Sequence, residues 1–573
     1  MMAAPPSTLP ARKPIPIVFG VVGHRDLRPD DHERLAEAVR PVLADARRRT
    51  PLCRHILLSS LADGADRLVA RVARECGFEV MVPLPMPRAQ YVQTFSGPES
   101  VREFDDLVRD VEPFEVSGGP ATPEYQAAGE FIARHSFVLI ALWDGRRTGK
   151  PAGTAWAVHH RRHRGCPRPG HAPARALDAE AAASLLEPPD DGPIVHVKTP
   201  RMGDGFVPAN AFETEWIYPE GWGKRPEATY ARMLEQTEAY NHDAFAADPG
   251  LDAERERTAE DLLPAGAGRD TAGGLEVLGH YATADALAIR YKQSRASVLA
   301  AILAIVVAGV LGLQAYSEEL LPSFLVWVYP GTVGVAFLIF FRAERRQVHR
   351  KHLDYRALAE GLRLMVFWRL AGVEDPVTEH YLHQYRTELD WIRNALRSCT
   401  VLVQARDRSA RAAAPPASGD GAGLAETHWV NHQAGWFATR AERGGASVQG
   451  LEMGQWVLFG LAFAMALTLA GLDGRVRPAP EPDLQSALVI ALGGCLAAAA
   501  AIGYYVDRML LAEQVRQYER MAALFRRGAE LIAECDDVAG RRSLLRELGI
   551  RALAENAAWV QMHRARPIEV PRG

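Results

Sequence analysis

Cysteine is sparse in this 573-residue chain, and none of it is paired in sequence. Cys53, Cys76, Cys166, Cys399, Cys495 and Cys535 lie far apart, with no CxxC among them. That spacing excludes a disulfide framework and a thiolate zinc site, and points to a reducing compartment for the soluble parts. Excess charge is missing as well. Lys and Arg number 66 against 70 Asp and Glu, a formal net charge of -4, so nothing in the balance draws the chain to nucleic acid. Hydrophobic residues at 48% and charged residues at 24% exclude a disordered or collagen-like chain. A secretory leader is not expected, because MMAAPPSTLPARKP runs into a short apolar strand, Ile15 to Val22, closed by Gly23-His24-Arg25. The length calls for two or three domains.

Long apolar runs are what the sequence does have. Ser297 to Tyr316, Leu320 to Phe341, Met453 to Leu472 and Ser486 to Val506 contain no Asp, Glu, Lys or Arg. Each approaches or exceeds the roughly 20 residues a helix needs to cross a bilayer core. The turn holding Glu318, Glu319 and Pro322 joins the first two, and the Pro-rich stretch Asp473 to Asp483 joins the last two. The pattern predicts four transmembrane helices in two hairpins. Lys292 and Arg295 precede the first run, and Arg342, Arg345, Arg346, Arg350 and Lys351 follow the second, while the turn between carries no basic residue. Arg440, Arg443, Arg508 and Arg516 outweigh Arg475 and Arg477 around the second hairpin. The positive-inside rule then places both termini and the central region in the cytoplasm of a multi-pass protein. None of the four runs carries the midplane ionisable group of a coupled transporter. Gly309, Gly312, Gly331, Gly334, Gly493, Gly494 and Ala497 suit close helix packing, either within one chain or between copies in a homo-oligomeric pore.

The two hairpins read as a repeat. Phe341 and Tyr504 share their offset with Tyr355 and Tyr518, which places matching long helices after each membrane exit. The composition of Asp407 to Gly423 is that of a linker. We divide this part into a connector over 201–275, a first two-helix unit over 276–400, a linker over 401–425 and a second unit over 426–565. These units resemble the two-transmembrane effector domains called SLATT, which accompany nucleotide-sensing domains in bacterial defence operons. The resemblance implies a pore-forming or membrane-perturbing role in the bacterial inner membrane.

Ahead of the membrane region, strand and helix signals alternate: Ile15 to Val22, Asp30 to Arg48, His55 to Ser59, Asp63 to Cys76, Phe78 to Leu84, Phe137 to Leu142 and Ile194 to Lys198. This predicts an α/β Rossmann-like domain, a parallel sheet covered on both faces, followed by the all-α membrane region. Ligands bind such sheets at the carboxyl ends of the strands. The loops there hold Gly20, Gly23, His24 and Arg25, then Asp63, Gly64 and Asp66, then Asp144, Gly145, Gly153 and Thr154. Small residues admit a close ligand, Arg25 can fork onto a phosphate, and Thr154 with its neighbouring amides can cradle an anion. His24 reads as a ligand contact, with turn packing as the alternative. His159 and His163 share a helical face suited to zinc, but Arg161, Arg162 and Arg164 beside them would repel a dication, and a solvated basic helix end is the reading preferred.

Gly20 to Leu27, Leu61 to Arg67, Leu84-Pro85 with Tyr91 to Phe95, and Leu142 to Thr154 together resemble the SLOG superfamily over residues 14–200. This Rossmann-like group includes the lonely-guy phosphoribohydrolases and ligand-binding domains of certain ion channels. It implies a nucleotide-derived ligand such as a second messenger, and no resident cofactor. Two departures stand out. Ala152-Gly153-Thr154 replaces the common Gly-Gly-Thr, and Ala155, Trp156 and Ala157 stand where the hydrolase branch has its Glu. No carboxylate is left there for acid/base work. The expectation is a membrane effector that senses a nucleotide-derived signal and perturbs the bilayer. The alternatives are a membrane-tethered nucleotide hydrolase and a constitutive channel or transporter.

Overall fold

A computed structural model describes residues 9–116, 123–146, 153–163, 192–203, 205–246, 248–264, 274–317, 327–382, 389–413, 421–472 and 484–566. By packing, the chain divides into two units. The first gathers 1–256, 269–283 and 376–419, and the second gathers 257–268, 284–375 and 420–573.

In the first unit the strands are β1 (Ile17–Gly23), β2 (His55–Leu58), β3 (Glu79–Met81), β4 (Pro83–Leu84), β5 (Phe114–Glu115), β6 (Val138–Trp143), β7 (Ile194–Lys198) and β8 (Thr214–Ile217). The helices between them are α1 (His32–Arg49), α2 (Ala65–Glu75), α3 (Arg88–Tyr91), α4 (Pro98–Leu107), α5 (Glu124–His135) and α6 (Thr154–His163). Six strands form one sheet in the order β3-β2-β1-β6-β7-β8. Neighbours are parallel except at the β7–β8 edge, which is antiparallel. The sheet is therefore mixed, and its last strand lies in the stretch read as connector. The apolar run Phe78 to Leu84 divides, with β3 in the main sheet and β4 paired to β5.

Strand alternation sends Val18 and Val22 of β1 into a core with Phe131 and Ile132 of α5 and Val158 of α6. Its other face, Ile17, Phe19 and Val21, is equally buried, as a strand covered by helices on both sides must be. Two segments beyond residue 200 complete this unit. In helix Pro226–Phe245 the buried Asn241 accepts from Ile15 N at 2.9 Å and donates to Ile15 O at 3.0 Å, satisfying the backbone just ahead of β1. In helix Asp390–Ala413, Val401, Leu402 and Ala405 enter the core against the sheet. The boundary expected at 400 thus cuts through a helix whose apolar face belongs to the sheet unit. Composition suggested a linker because the Ala, Pro and Ser of this stretch lie just past those core positions.

In the second unit the long helices follow one another with short breaks. Three helical stretches among the described residues are long and apolar enough to cross a membrane: Gly274–Ser317, Gly421–Gly471 and Leu484–Ala533. The run Leu320 to Phe341 begins outside the described residues, and its described part lies almost wholly within the 18-residue helix Val328–Arg345. The repeat extends to the backbone. Helix Val328–Arg345 breaks at Gln347, with φ 51°, before helix Val348–Ala371. Helix Leu484–Arg508 breaks at Leu510, with φ 54°, before helix Leu511–Ala533. Gln347 and Leu510 are separated by the same offset as Tyr355 and Tyr518. Each of those tyrosines packs on an aromatic of the helix entering its hairpin: Tyr355 on Tyr291 at 5.6 Å, Tyr518 on Phe437 at 5.9 Å.

Glycines set the helix contacts. A β-carbon at Gly493 would overlap Gln314, one at Gly494 would stand 2.7 Å from Leu311, and one at Gly309 would stand 2.6 Å from Thr332 Oγ1. At Gly331 and Gly334 a β-carbon would meet nothing within 4 Å. Gln455 donates its amide to Ala499 O at 3.1 Å, so this polar group inside an apolar helix pair is satisfied by backbone.

Candidate functional site

The sheet reverses its winding between β1 and β6: the chain moves outward to β2 and β3 on one side, and to β7 and β8 on the other. Loops leaving such a pair part company and open a crevice at their carboxyl ends. Gly23 is paired with Leu142, so the segments at that crevice are His24-Arg25 and Asp144-Gly145. They are joined there. His24 N donates to Leu142 O at 3.1 Å, and Asp144 N donates to His24 Nε2 at 3.0 Å. A backbone amide only donates, so this imidazole is neutral with its proton on Nδ1. Burial also lowers the His24 pKa, against the opposing pull of Asp144.

Asp144 is 4% exposed and committed elsewhere: its carboxylate accepts from Arg146 N and Arg146 Nε, each at 3.0 Å. Gly145, at φ 84°, makes the turn this requires. Asp63 is likewise occupied by Ser96 N at 3.1 Å, by Arg67 at 2.9 Å and by the Ser100 hydroxyl. These two acids shape the loops.

Arg25 and Asp66 are held otherwise, the guanidinium by a hydrogen bond to Tyr125 and the carboxylate by one from the Ala62 amide. Arg25 is exposed, its guanidinium 5.2 Å from the centre of the Tyr125 ring. Asp66, in the first turn of α2, is 8% exposed, and burial raises its pKa to about 7 against the pull of Arg25, the Ala62 amide and Arg67. Among the described residues neither Arg25 nor Asp66 forms an ion pair, although each feels the other's charge. Tyr91, fully buried, lies within electrostatic reach of both groups and meets Phe95 edge-on at 5.0 Å. The sequence pointed to the Tyr91 to Phe95 segment but missed Tyr125, which sits one residue into α5 in a stretch with no glycine or motif to mark it.

The glycines divide by role. A β-carbon at Gly20 would lie 2.7 Å from Ile132 and 2.9 Å from Ser136, so this glycine lets α5 approach the sheet and does not face the crevice. A β-carbon at Gly23 would overlap Ala65, and one at Gly64, at φ 80°, would overlap the Arg25 and His24 carbonyls. Both bring α2 onto the β1 loop, where Ala65 N donates to His24 O at 3.0 Å. Gly153 has open space around it, and with Thr154 it starts α6, donating no bulk to the edge where the anion cradle was expected. Gly149, Lys150 and Ala152 of that cradle lie outside the described residues.

The basic end of α6 needs correction. Arg161 is 3% exposed, donating to Phe137 O at 2.8 Å and to Ala133 O, so it is a buried brace between α5 and β6 and not a solvated charge. The His159 and His163 rings pack at a tilt of 46° with centres 4.5 Å apart. No family model, curated protein or solved structure matches this chain.

Proposed function

We propose that the chain is a sensor-effector: the sheet unit binds a nucleotide-derived signal at the β1/β6 crevice, and the helical unit answers by perturbing the bacterial inner membrane. Four spans in two hairpins, with both termini cytoplasmic, belong to this reading, as do the likeness to SLOG and SLATT domains and a role in anti-phage or related defence. The observation that carries it is the path of the chain. The sheet unit takes in 269–283, releases the first hairpin, and closes its core again with helix Asp390–Ala413. Glu276 from the outgoing side pairs with Arg406 from the returning side at 2.6 Å. The first hairpin is thereby attached to the sensing unit at both ends, so a ligand that favours one arrangement of that unit acts on both ends at once.

A membrane-tethered nucleotide hydrolase is the second reading, favoured by Asp66: a buried carboxyl titrating near neutrality is a competent general acid or base. Reconstitution decides between them. Liposomes carrying the full chain should release an entrapped dye when a panel of nucleotide messengers is added, with the nucleotide recovered intact. Nucleotide consumption without dye release would replace the sensor with the hydrolase. In cells, cysteines introduced at Glu318 and Asp483 should label from outside, and those at Ser7 and Ser418 should not. External labelling at Ser418 would overturn the four-span topology.

A further inference from the structure

One residue of the last helix ties together both backbone breaks of the helical unit. The breaks are built alike: Arg346 N donates to Arg342 O and Gln347 N to Glu344 O in the first, Met509 N to Tyr505 O and Leu510 N to Asp507 O in the second. Just past each break a side chain reaches His563, near the end of helix Val538–Arg564. His349 Nε2 donates to His563 O at 3.0 Å, and the Gln514 amide nitrogen lies 3.1 Å from His563 Nε2. That amide nitrogen also donates to Met509 O at 2.8 Å. An amide nitrogen only donates, so His563 Nε2 accepts and carries no proton. His563 Nδ1 faces Trp559 O at 2.9 Å, and the ring proton sits there. The ring is therefore neutral with both nitrogens satisfied. A second proton would set an Nε2–H against the amide hydrogens of Gln514.

Two further histidines share this place. His349 Nδ1 is buried with no hydrogen-bond partner among the described residues, so a proton added there would find no acceptor. His352, 5% exposed, donates from Nδ1 to Ala288 O at 3.1 Å and meets the Trp559 ring edge-on at 5.9 Å. The charged groups that reach the three rings are cationic: Lys292 and Arg295 from the helix entering the first hairpin, and Arg564, itself paired with Asp354. Burial, with these cations adding to it, lowers His349 and His563 to about 4 and holds His352 well below the ordinary histidine value. We propose that His349, His352 and His563 form a proton-released latch, holding the last helix to both breaks while neutral and letting it go on acidification. A released histidine takes up its proton near the ordinary value of about 6.5. Between that value and about 4, opening therefore binds protons, and the closed form loses stability as the pH falls. With three rings released together, the opening constant rises about a thousandfold from about pH 7.5 to about pH 5.5. The latch rests on contacts inside the helical unit and not on the nucleotide reading.

The test is amide hydrogen exchange of the full chain in detergent at those two pH values, each rate divided by the intrinsic rate at the same pH. Protection over 511–516 and 556–564 should fall about a thousandfold toward the lower pH. His563→Gln keeps an acceptor for Gln514, and His349→Gln keeps a donor for His563 O, but neither replacement titrates. Each variant should keep its protection at the higher pH and show a fall of only about a hundredfold. Protection in the native chain that does not change between the two pH values would overturn the latch. A full thousandfold fall persisting in both variants would overturn it as well. Either result would leave the nucleotide site and the membrane response standing as separate questions.

Discussion

The two hairpins share a plan and differ in what their glycines meet. In helix Leu484–Arg508, Gly493, Gly494 and Gly503 all lie against side chains of neighbouring helices, from Gln314, Leu311 and Gln455. In helix Val328–Arg345, Gly331 and Gly334 lie against nothing within 4 Å. Duplicated architecture has thus kept its backbone punctuation, at Gln347 and Leu510, while the contacts it supports have diverged. Helix Leu484–Arg508 is packed against its neighbours and helix Val328–Arg345 keeps open glycine positions, so composition alone overstates how alike these two helices are.

The largest effect should come from the matched tyrosines. Tyr355 is 2% exposed whereas Tyr518 is half-buried. Tyr355→Ala should cost about 3 to 5 kcal/mol of stability in detergent, and Tyr518→Ala no more than about 2. Equal losses in thermal unfolding would erase the asymmetry. Next come the glycines: Gly493→Leu should cost about 1 to 3 kcal/mol by forcing Gln314 aside, while Gly331→Leu should stay within about 0.5 kcal/mol in the monomer. A Gly331→Leu loss confined to a self-associated form would show that a second copy covers this face. The smallest effects lie at the breaks, where a non-glycine residue holds a left-handed backbone at some cost. Gln347 is exposed, so Gln347→Gly should stabilise by about 0.5 kcal/mol. Leu510 is 1% exposed, and Leu510→Gly should lose about 1 kcal/mol net, because the buried side chain outweighs the relieved strain. Gains at both positions in denaturant titrations would mean that the copies pack alike there.

Periodicity made much of this legible. Apart from the two-residue β5, the strands from β1 to β7 fall where apolar runs of strand length alternate with helical patterns, and the hairpin offset is visible in Phe341, Tyr504, Tyr355 and Tyr518. What periodicity missed depends on distant partners. Thr214–Ile217 is short and partly exposed, and it becomes a strand only by pairing with β7. Helix Asp390–Ala413 looked like the tail of a membrane unit because nothing in its sequence names the sheet it covers. At the crevice, residue types identified the acids but not their duties. Asp63 and Asp144 hold loops, and only burial and the absence of an ion pair set Asp66 apart. Gly20 and Gly23 were read as room for a ligand, whereas the room they provide is taken by α5 and α2.

The threefold splitting of the sheet unit also fixes an order of assembly. Val401, Leu402 and Ala405 complete its core, and they leave the ribosome only after the first hairpin has been made. On the membrane reading proposed above, the unit finishes folding after its first hairpin has met the bilayer, with β1 to β8 waiting on a helix still to be synthesised. Until then the apolar patch that helix will cover stays open to solvent. A chain stalled between residues 345 and 390 would be anchored yet unfinished, and that interval is where chaperones and proteases would find their target.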